Sequence, residues 1–161
     1  MAKYEEYASR YDLSRFVNAH RATYSSALDE IRSGRKRSHW MWYIFPQLRG
    51  LGHSMNSDYY GIADRDEAMM FLHHPVLGSN LWDITMAMLA IDGKPADEIL
   101  GETDALKFRS SMTLFNSVCP DNIFSEALHK YYNGEEDERT LEMLKAGSGE
   151  RFVSGGIIEV P

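Results

Sequence analysis

Residues 35–50 read RKRSHWMWYIFPQLRG, with three cations followed by a run of aromatic and aliphatic residues that stops at Pro46. Proline disfavours helical backbone in the residue before it, and serine is a residue type that caps helices. We therefore predict a short helix from about Ser38 to Phe45. Its apolar side chains would occupy every face of that helix. A helix of this kind is surrounded by protein, so the stretch predicts the core of a packed domain.

Helical spacing of apolar residues extends outward from this stretch in both directions. The two clearest stripes are Phe16, His20, Tyr24, Ala27, Leu28 and Ile31, and Leu77, Leu81, Ile84, Met88 and Ile91. No segment shows sustained strand alternation. Residues 48–61 are rich in Gly, Ser and Asn and are predicted to form a long loop. The sequence predicts an all-α fold: one compact domain of about six or seven helices over residues 1–145, with this loop after the second helix.

The C-terminal segment, residues 146–161, differs in composition from the rest of the chain. It ends in RFVSGGIIEVP, which is glycine-rich and has β-branched residues. We expect a flexible tail here, either disordered or forming an edge strand.

Composition limits the classes of protein that fit. The chain has 161 residues, 43% hydrophobic and 12% aromatic, and carries a net charge of −7. That acidic balance argues against nucleic-acid binding, which needs a broad basic surface. The single cysteine, Cys119, cannot form an internal disulfide, so a reducing compartment is favoured. The N-terminus lacks the apolar segment of a signal peptide and the apolar runs are too short to span a membrane. We expect a cytoplasmic protein without membrane contact.

The sequence shows no motif for a metal or a cofactor. Its six histidines include no pair at the spacing of metal ligands on a helix. There is no GxSxG sequence and no P-loop. We therefore expect no metal site and no cofactor.

The opening stretch is the first candidate ligand site. Helix N-termini attract anions, and Arg35 and Arg37 lie just before the predicted helix. Trp42 and Tyr43 could stack on a ring and Gln47 could bind polar edges. His39 is the one group in this stretch suited to proton transfer near neutral pH and is the candidate catalytic residue. The alternative is that the cations pair with carboxylates and the aromatic residues belong to the core.

Residues 103–115, TDALKFRSSMTLF, form the second candidate segment. Their apolar stripes predict a largely buried helix that carries Lys107 and Arg109. A buried cation must be paired or must meet an anion. Either both cations line the same pocket as Arg37 and His39, or Asp104, one turn earlier, neutralises Lys107.

These two segments carry a family resemblance. GRKRSHWMWYIFPQLRGLG and DALKFRSSMTLF, together with AMMFLHHPVLG and ADEILG between them, resemble a family of small, mainly bacterial, uncharacterised proteins. The family is a domain of unknown function that is sometimes mislabelled calpastatin. The resemblance covers about residues 12–145 and implies a multihelical fold. It implies no activity and no catalytic residues. The calpastatin label does not fit, because calpain inhibitors are extended disordered repeats.

Two functions remain open on this sequence. The first is a small-ligand-binding protein or enzyme that acts on an anionic, partly aromatic metabolite such as a nucleotide or an ADP-ribose-like molecule. The second is a non-catalytic protein-interaction module that uses the aromatic segment. Burial of Trp40 and Trp42 distinguishes them, because an exposed binding patch would leave both indole rings in water.

Overall fold

The computed structural model describes the backbone of residues 11–155 and side chains up to residue 147. Within this range the chain forms one compact helical domain without strands, as predicted. Its nine helices are α1 (Ser14–Arg32), α2 (Met41–Ile44), α3 (Met55–Tyr60), α4 (Arg65–His73), α5 (Leu77–Leu89), α6 (Ala96–Leu100), α7 (Glu102–Val118), α8 (Ile123–Tyr132) and α9 (Glu138–Gly155). The described range thus holds more helices than the six or seven expected.

Helix α7 lies at the centre of the domain and packs against α4, α6, α8 and α9. Its buried residues follow one another without a break from Ser110 to Phe115, so protein surrounds that part of the helix. This burial confirms the prediction that the helix carrying Lys107 and Arg109 is largely enclosed. On the other side of the domain, α1 packs against α5 and α2.

Phenylalanine rings join the helices into one core. Phe71 on α4 contacts Phe16 on α1, with ring centroids 5.0 Å apart, and Phe115 on α7 at 5.6 Å. Phe115 in turn lies 5.7 Å from Phe124 on α8. All four side chains are fully buried, and burying a phenylalanine contributes about 1.5–3 kcal/mol. Four helices therefore meet at one aromatic cluster.

Helix α2 is shorter than predicted and starts later. It begins at Met41 with Trp40 as its N-cap, and no side chain caps it. Ser38 does not serve as the cap, because its hydroxyl and its backbone N–H both donate to the carboxylate of Glu30 on α1. The prediction that the buried stretch belongs to the core is confirmed, since Trp40, Ile44 and Phe45 are each at most 1% exposed.

The segment predicted as a long loop, residues 48–61, contains helix α3. Ser54 caps this helix by accepting a hydrogen bond from the backbone N–H of Ser57 at 3.1 Å. Arg15 and Arg49 donate to carbonyls at its C-terminal end, including that of Gly61. These tertiary bonds stabilise a helix that is too short to be stable by itself, and composition alone did not reveal it.

The last helix, α9, continues past Lys145 to Gly155, into the segment that we assigned to a tail. Residues 156–161 lie outside the described range, so flexibility of the tail stays a prediction. None of the helices described between residues 11 and 155 is both long and apolar enough to cross a membrane.

Candidate functional site

Glu30, near the end of α1, organises the loop that precedes α2. Its carboxylate accepts hydrogen bonds from the backbone N–H groups of Arg37 and Ser38, at 2.7 and 3.0 Å. It also accepts from the Ser38 hydroxyl at 2.5 Å and from the indole N–H of Trp40 at 2.9 Å. One carboxylate on a helix thereby fixes the loop backbone and the orientation of the buried Trp40 ring.

Asp104, in the first turn of α7, joins two lysines from different parts of the chain. Its Oδ2 lies 2.8 Å from the Nζ of Lys36 and its Oδ1 lies 3.1 Å from the Nζ of Lys107. The backbone N–H of Lys36 donates to the carbonyl of Ile99 on α6 at 2.8 Å. The loop before α2 is thus held against the α6–α7 corner, and the pairing of Lys107 with Asp104 is the alternative weighed from the sequence.

Each of these lysines also lies over a tryptophan ring. The Nζ of Lys36 is 5.0 Å from the centroid of Trp40, and that of Lys107 is 4.6 Å from the centroid of Trp42. Trp40 is 1% exposed, whereas Trp42 is half-buried. We call this group the lysine–tryptophan cluster, and its members are Lys36, Trp40, Trp42, Asp104 and Lys107.

Hydrogen bonds keep both organising carboxylates ionised. Burial disfavours the charged form of Glu30, but donation from the side chains of Ser38 and Trp40 and from two backbone N–H groups outweighs it and lowers its pKa to about 2. Burial likewise opposes ionisation of Asp104. Hydrogen bonds and attraction from Lys36 and Lys107 overcome this and hold its pKa below the usual value. Both carboxylates are therefore negative at neutral pH.

The predicted cations before α2 are exposed, as is His39. The guanidinium of Arg37 donates to the hydroxyl of Ser33 at 3.3 Å. Neither Arg35 nor Arg37 forms an ion pair with a side chain between residues 11 and 147, so none of these carboxylates neutralises them in the way considered from the sequence. The lysine between them, Lys36, is the cation that reaches Lys107 through Asp104.

The predicted ligand-binding residues Trp42, Tyr43 and Gln47 do not share one set of contacts. Tyr43 is half-buried, and its ring lies 5.0 Å from that of Tyr60 on α3. Its hydroxyl donates to the carbonyl of His39 at 3.3 Å. Gln47 is buried, and its backbone carbonyl accepts from the N–H of Ile62. Of the predicted ring-binding residues, Trp42 is the one that the structure brings together with Lys107.

Arg109 does not share the contacts of Lys107, although both lie on α7. Its guanidinium donates to the backbone carbonyls of Glu135 and Glu136, at 2.9 and 3.1 Å, in the loop between α8 and α9. It also lies 5.7 Å from the Tyr132 ring. Two residues of separation place side chains on different faces of a helix, so Lys107 and Arg109 have separate partners: Lys107 binds Asp104 and Arg109 binds the loop after α8.

Two further residues of this region were not identified as site residues from the sequence. Lys36 was one cation among three in the opening stretch, and nothing in its spacing distinguished it from Arg35 or Arg37. Glu30 lies seven to ten residues before its partners, and a single carboxylate near a helix end is an unremarkable pattern. Within the described part of the chain, no cluster of three or more His, Cys, Asp or Glu side chains could hold a metal ion.

The cluster can recognise charge and a ring, but it holds no activated nucleophile. Lysine ammonium groups bind phosphate or carboxylate oxygens as point charges, and an indole face accepts cations or stacks on planar groups.

Comparison with known proteins is consistent with the helical fold. The crystal structure of the conserved hypothetical protein Rv1873 from Mycobacterium tuberculosis, at 1.38 Å, is similar to this chain with a TM-score of 0.82 and 45% sequence identity. The similarity covers 84% of this chain and 98% of the other. No functionally curated protein matches. The profile of the family described as "Protein of unknown function (DUF1810)" matches residues 10–144, and the chain therefore belongs to this family.

Proposed function

We propose that this protein binds, as ligand or substrate, a small anionic and partly aromatic molecule of the nucleotide or ADP-ribose type at the lysine–tryptophan cluster. One observation carries the proposal: Asp104 holds the ammonium of Lys107 over the half-buried face of Trp42. The ammonium group that would bind the anion and the indole ring that would stack on the ligand are thus in direct contact with each other.

The charge around the cluster favours an anion. Asp104 is one carboxylate shared by two ammonium groups, so the cluster keeps a positive charge. The adjoining loop adds the exposed Arg35 and Arg37, whose guanidinium groups form no ion pair with a described side chain. This local excess occurs in a protein whose overall charge is −7. A small anion is attracted here, whereas a nucleic-acid polymer would also meet the acidic remainder of the surface.

Binding would proceed by exchange of partners. A phosphate or carboxylate of the ligand would compete with Asp104 for the ammonium of Lys107. Movement of Lys107 toward the ligand would uncover the Trp42 face, on which a ring could stack. Stacking of a base on an aromatic side chain contributes about 1–3 kcal/mol. Both parts of the ligand would then be bound without any change in the core.

His39 is the residue that we propose for proton transfer if the bound molecule is a substrate. It is exposed, and its carbonyl accepts the hydroxyl of Tyr43, which fixes its backbone beside Trp40. Imidazole is the side chain suited to exchanging protons near neutral pH.

The alternative, a protein-interaction module that uses the aromatic segment, has less support. Such a module needs the indole rings in water, whereas Trp40 is 1% exposed and Trp42 is half-buried. The most exposed large apolar side chains among the described residues are Met55 on α3 at 88%, Leu106 on α7 at 64% and Tyr59 on α3 at 57%. A partner protein would therefore find its apolar contacts on α3 or at Leu106 rather than on the tryptophans.

A thermal-shift screen tests the proposed function. The panel would include AMP, ADP, ADP-ribose, ribose 5-phosphate and adenosine. A true ligand at one hundred times its dissociation constant stabilises the protein by about 2.7 kcal/mol, and we expect this for the nucleotides and not for uncharged adenosine.

Two variants serve as the comparison in this screen. Lys107→Gln should abolish the stabilisation, because it removes the charge over Trp42. Lys145→Gln, at an exposed site, should retain it. Absence of stabilisation by the whole panel, or equal stabilisation of the Lys107→Gln variant, would contradict the proposal.

A further inference from the structure

A cleft lies between the C-terminal end of α1 and the outer face of α5, and it shares no residue with the lysine–tryptophan cluster. Its volume is about 520 Å³, within the range of small-molecule sites. The end of α1 contributes Arg32, Ser33 and Gly34, and the loop after α5 contributes Lys94. We call this the α1–α5 cleft.

The cationic side of the cleft is held in place by backbone geometry. Lys94 is half-buried, and its ammonium donates to the carbonyl of Gly34 at 3.0 Å. Gly34 has a φ of +87°, and a Cβ on it would lie 3.0 Å from the Nζ of Lys94. Glycine favours this left-handed backbone, and its lack of a Cβ leaves the ammonium group room to approach the carbonyl. The turn after α1 positions this cation.

Both cations of the cleft retain hydrogen-bonding capacity. An ammonium group has three N–H donors, and in the described structure the Gly34 carbonyl is the partner of one. Arg32 forms no ion pair with any described residue. Lys130 already binds the carbonyls of Leu89 and Ile91 at the end of α5, so Lys94 is not required to cap that helix. Arg32 and Lys94 are therefore available to an anion.

The opposite wall is apolar. It consists of Met86 and Ala87 in the last turn of α5 and of Ala90 and Ile91 directly after the helix. Met86 is 46% exposed, which leaves a thioether side chain in water. An alkyl or aromatic group that covered this wall would remove apolar surface from water, which is favourable.

The charge balance indicates one negative charge on the ligand. Asp83 also lines the cleft, so two cations face one carboxylate and the excess is a single positive charge. A dianionic phosphate monoester would bring a second negative charge close to Asp83. We infer that the α1–α5 cleft binds a small amphipathic monocarboxylate, with its carboxylate at Arg32 and Lys94 and its apolar body on the α5 wall.

Methyl NMR on the full-length protein tests this inference. The methionine methyl groups would be ¹³C-labelled and titrated with octanoate, octanol and octyl phosphate. We expect octanoate to shift the Met86 methyl signal saturably, with the Met55 signal on α3 unchanged. The signals would be assigned with Met86→Leu and Met55→Leu.

Substitutions in the cleft test which residues bind the carboxylate of octanoate and whether its alkyl chain occupies the apolar wall. Lys94→Gln and Arg32→Gln should each weaken octanoate binding about tenfold, as expected for loss of a charged hydrogen bond. Ala90→Leu, at an exposed position, should block the cleft without a change in the core, and Lys145→Gln should bind normally.

Several results would overturn the inference. These are an unshifted Met86 signal at millimolar octanoate, an equal shift with octanol, tighter binding of octyl phosphate, or unaltered binding by folded Lys94→Gln and Arg32→Gln variants. Because Lys107→Gln leaves this cleft intact, failure of the nucleotide site and failure of this site are distinguishable.

Discussion

The ammonium nitrogen of Lys107 lies 4.6 Å from the centroid of the Trp42 ring. It is held there by Asp104, which also binds Lys36 from the loop before α2. The contact joins the two sequence segments that carry the family resemblance. It also makes Asp104 the residue whose loss should disturb both segments at once.

Asp104→Asn should destabilise the protein by about 1 kcal/mol, the upper range for partly exposed ion pairs. The substitution keeps the size of the side chain but leaves two ammonium groups without their carboxylate. Urea unfolding at low and high salt measures the effect, which should decrease at high salt because screening weakens it. Glu102→Gln is the control, because Glu102 lies in the same first turn of α7 but binds neither lysine. Equal losses for the two variants would refute a special role for Asp104.

Glu30→Gln should cost about 1–2 kcal/mol, since hydrogen bonds to a charged group are stronger than neutral ones. The carboxylate accepts from Arg37, Ser38 and Trp40, and the amide replaces one acceptor oxygen by a donor. Denaturant unfolding gives the free energy, and an altered Trp40 indole N–H resonance would report the lost bond.

The neighbouring exposed residue Asp29 gives a matched comparison for Glu30. Asp29 lies in the same turn of α1, and its carboxylate forms no hydrogen bond or ion pair with a described residue. Asp29→Asn should therefore change the free energy of unfolding by less than about 0.5 kcal/mol. If the Glu30 and Asp29 variants were equally stable, the loop would not depend on the Glu30 carboxylate.

Stability should fall between pH 7 and pH 5 because of His20. This side chain is 3% exposed; its Nε2 lies 2.8 Å from the carbonyl of Tyr43 and its Nδ1 lies 3.0 Å from the amide nitrogen of Asn80. Burial lowers its pKa from 6.5 to about 4, although the bond to Tyr43 acts in the opposite direction. Between these values the unfolded chain binds a proton that the folded protein does not, so acid favours unfolding.

The expected loss from His20 is about 2 kcal/mol over those two pH units, given 1.36 kcal/mol per pKa unit. It is complete below pH 4 and absent well above pH 6.5. An NMR titration of the His20 ring should give a pKa near 4. A His20→Gln variant should show a smaller loss over the same interval, and a ring that titrates near 6.5 would contradict this assignment.

Gly34→Ala should destabilise the protein more than Gly93→Ala does. Both glycines have positive φ, +87° and +73°, but a Cβ at Gly93 meets no atom within 4 Å, whereas one at Gly34 meets Lys94. Each substitution costs about 1 kcal/mol, because alanine is strained in the left-handed backbone conformation. Gly34→Ala should also weaken the Lys94 bond, because the added methyl group crowds the ammonium, at a cost of up to about 1 kcal/mol more.

A double-mutant cycle isolates that bond. In a Lys94→Met background the difference between the two alanine variants should disappear, as measured by denaturant unfolding. A difference that persists would place the cost elsewhere than in the contact between Lys94 and Gly34.

Local patterns in the sequence predicted much of the fold because their causes are local. Asp64 caps α4, since its carboxylate accepts from the N–H of Glu67 at 2.9 Å, and aspartate is a residue type that caps helices. Asn122 caps α8, and Asn133 ends that helix in the left-handed conformation. Of the predicted stripe on α5, Leu77, Leu81, Ile84 and Met88 are fully buried, whereas Ile91, after the end of the helix, is half-buried. Caps and helical periodicity act within a few residues, so they can be identified without tertiary information.

The candidate site was predicted less completely because its geometry depends on distant residues. Which cation of the loop reaches Lys107 is decided by two constraints: the bonds of Glu30 to the loop backbone and the bond of Lys36 to Ile99. Neither constraint leaves a periodic pattern in the sequence. Helix α3 was missed for the same reason, since Arg15 and Arg49 bind its carbonyls from outside the segment.

The indole N–H resonances of the three tryptophans test the proposed site most directly. Trp42 lies in the lysine–tryptophan cluster, whereas Trp82 lies on α5 and packs against Phe124, so Trp82 is an internal reference. On titration with ADP-ribose we expect the Trp42 signal to shift saturably and the Trp82 signal to stay in place, with no Trp42 shift in Lys107→Gln. A Trp42 signal that does not move at millimolar ADP-ribose, or that moves equally in Lys107→Gln, would contradict the account.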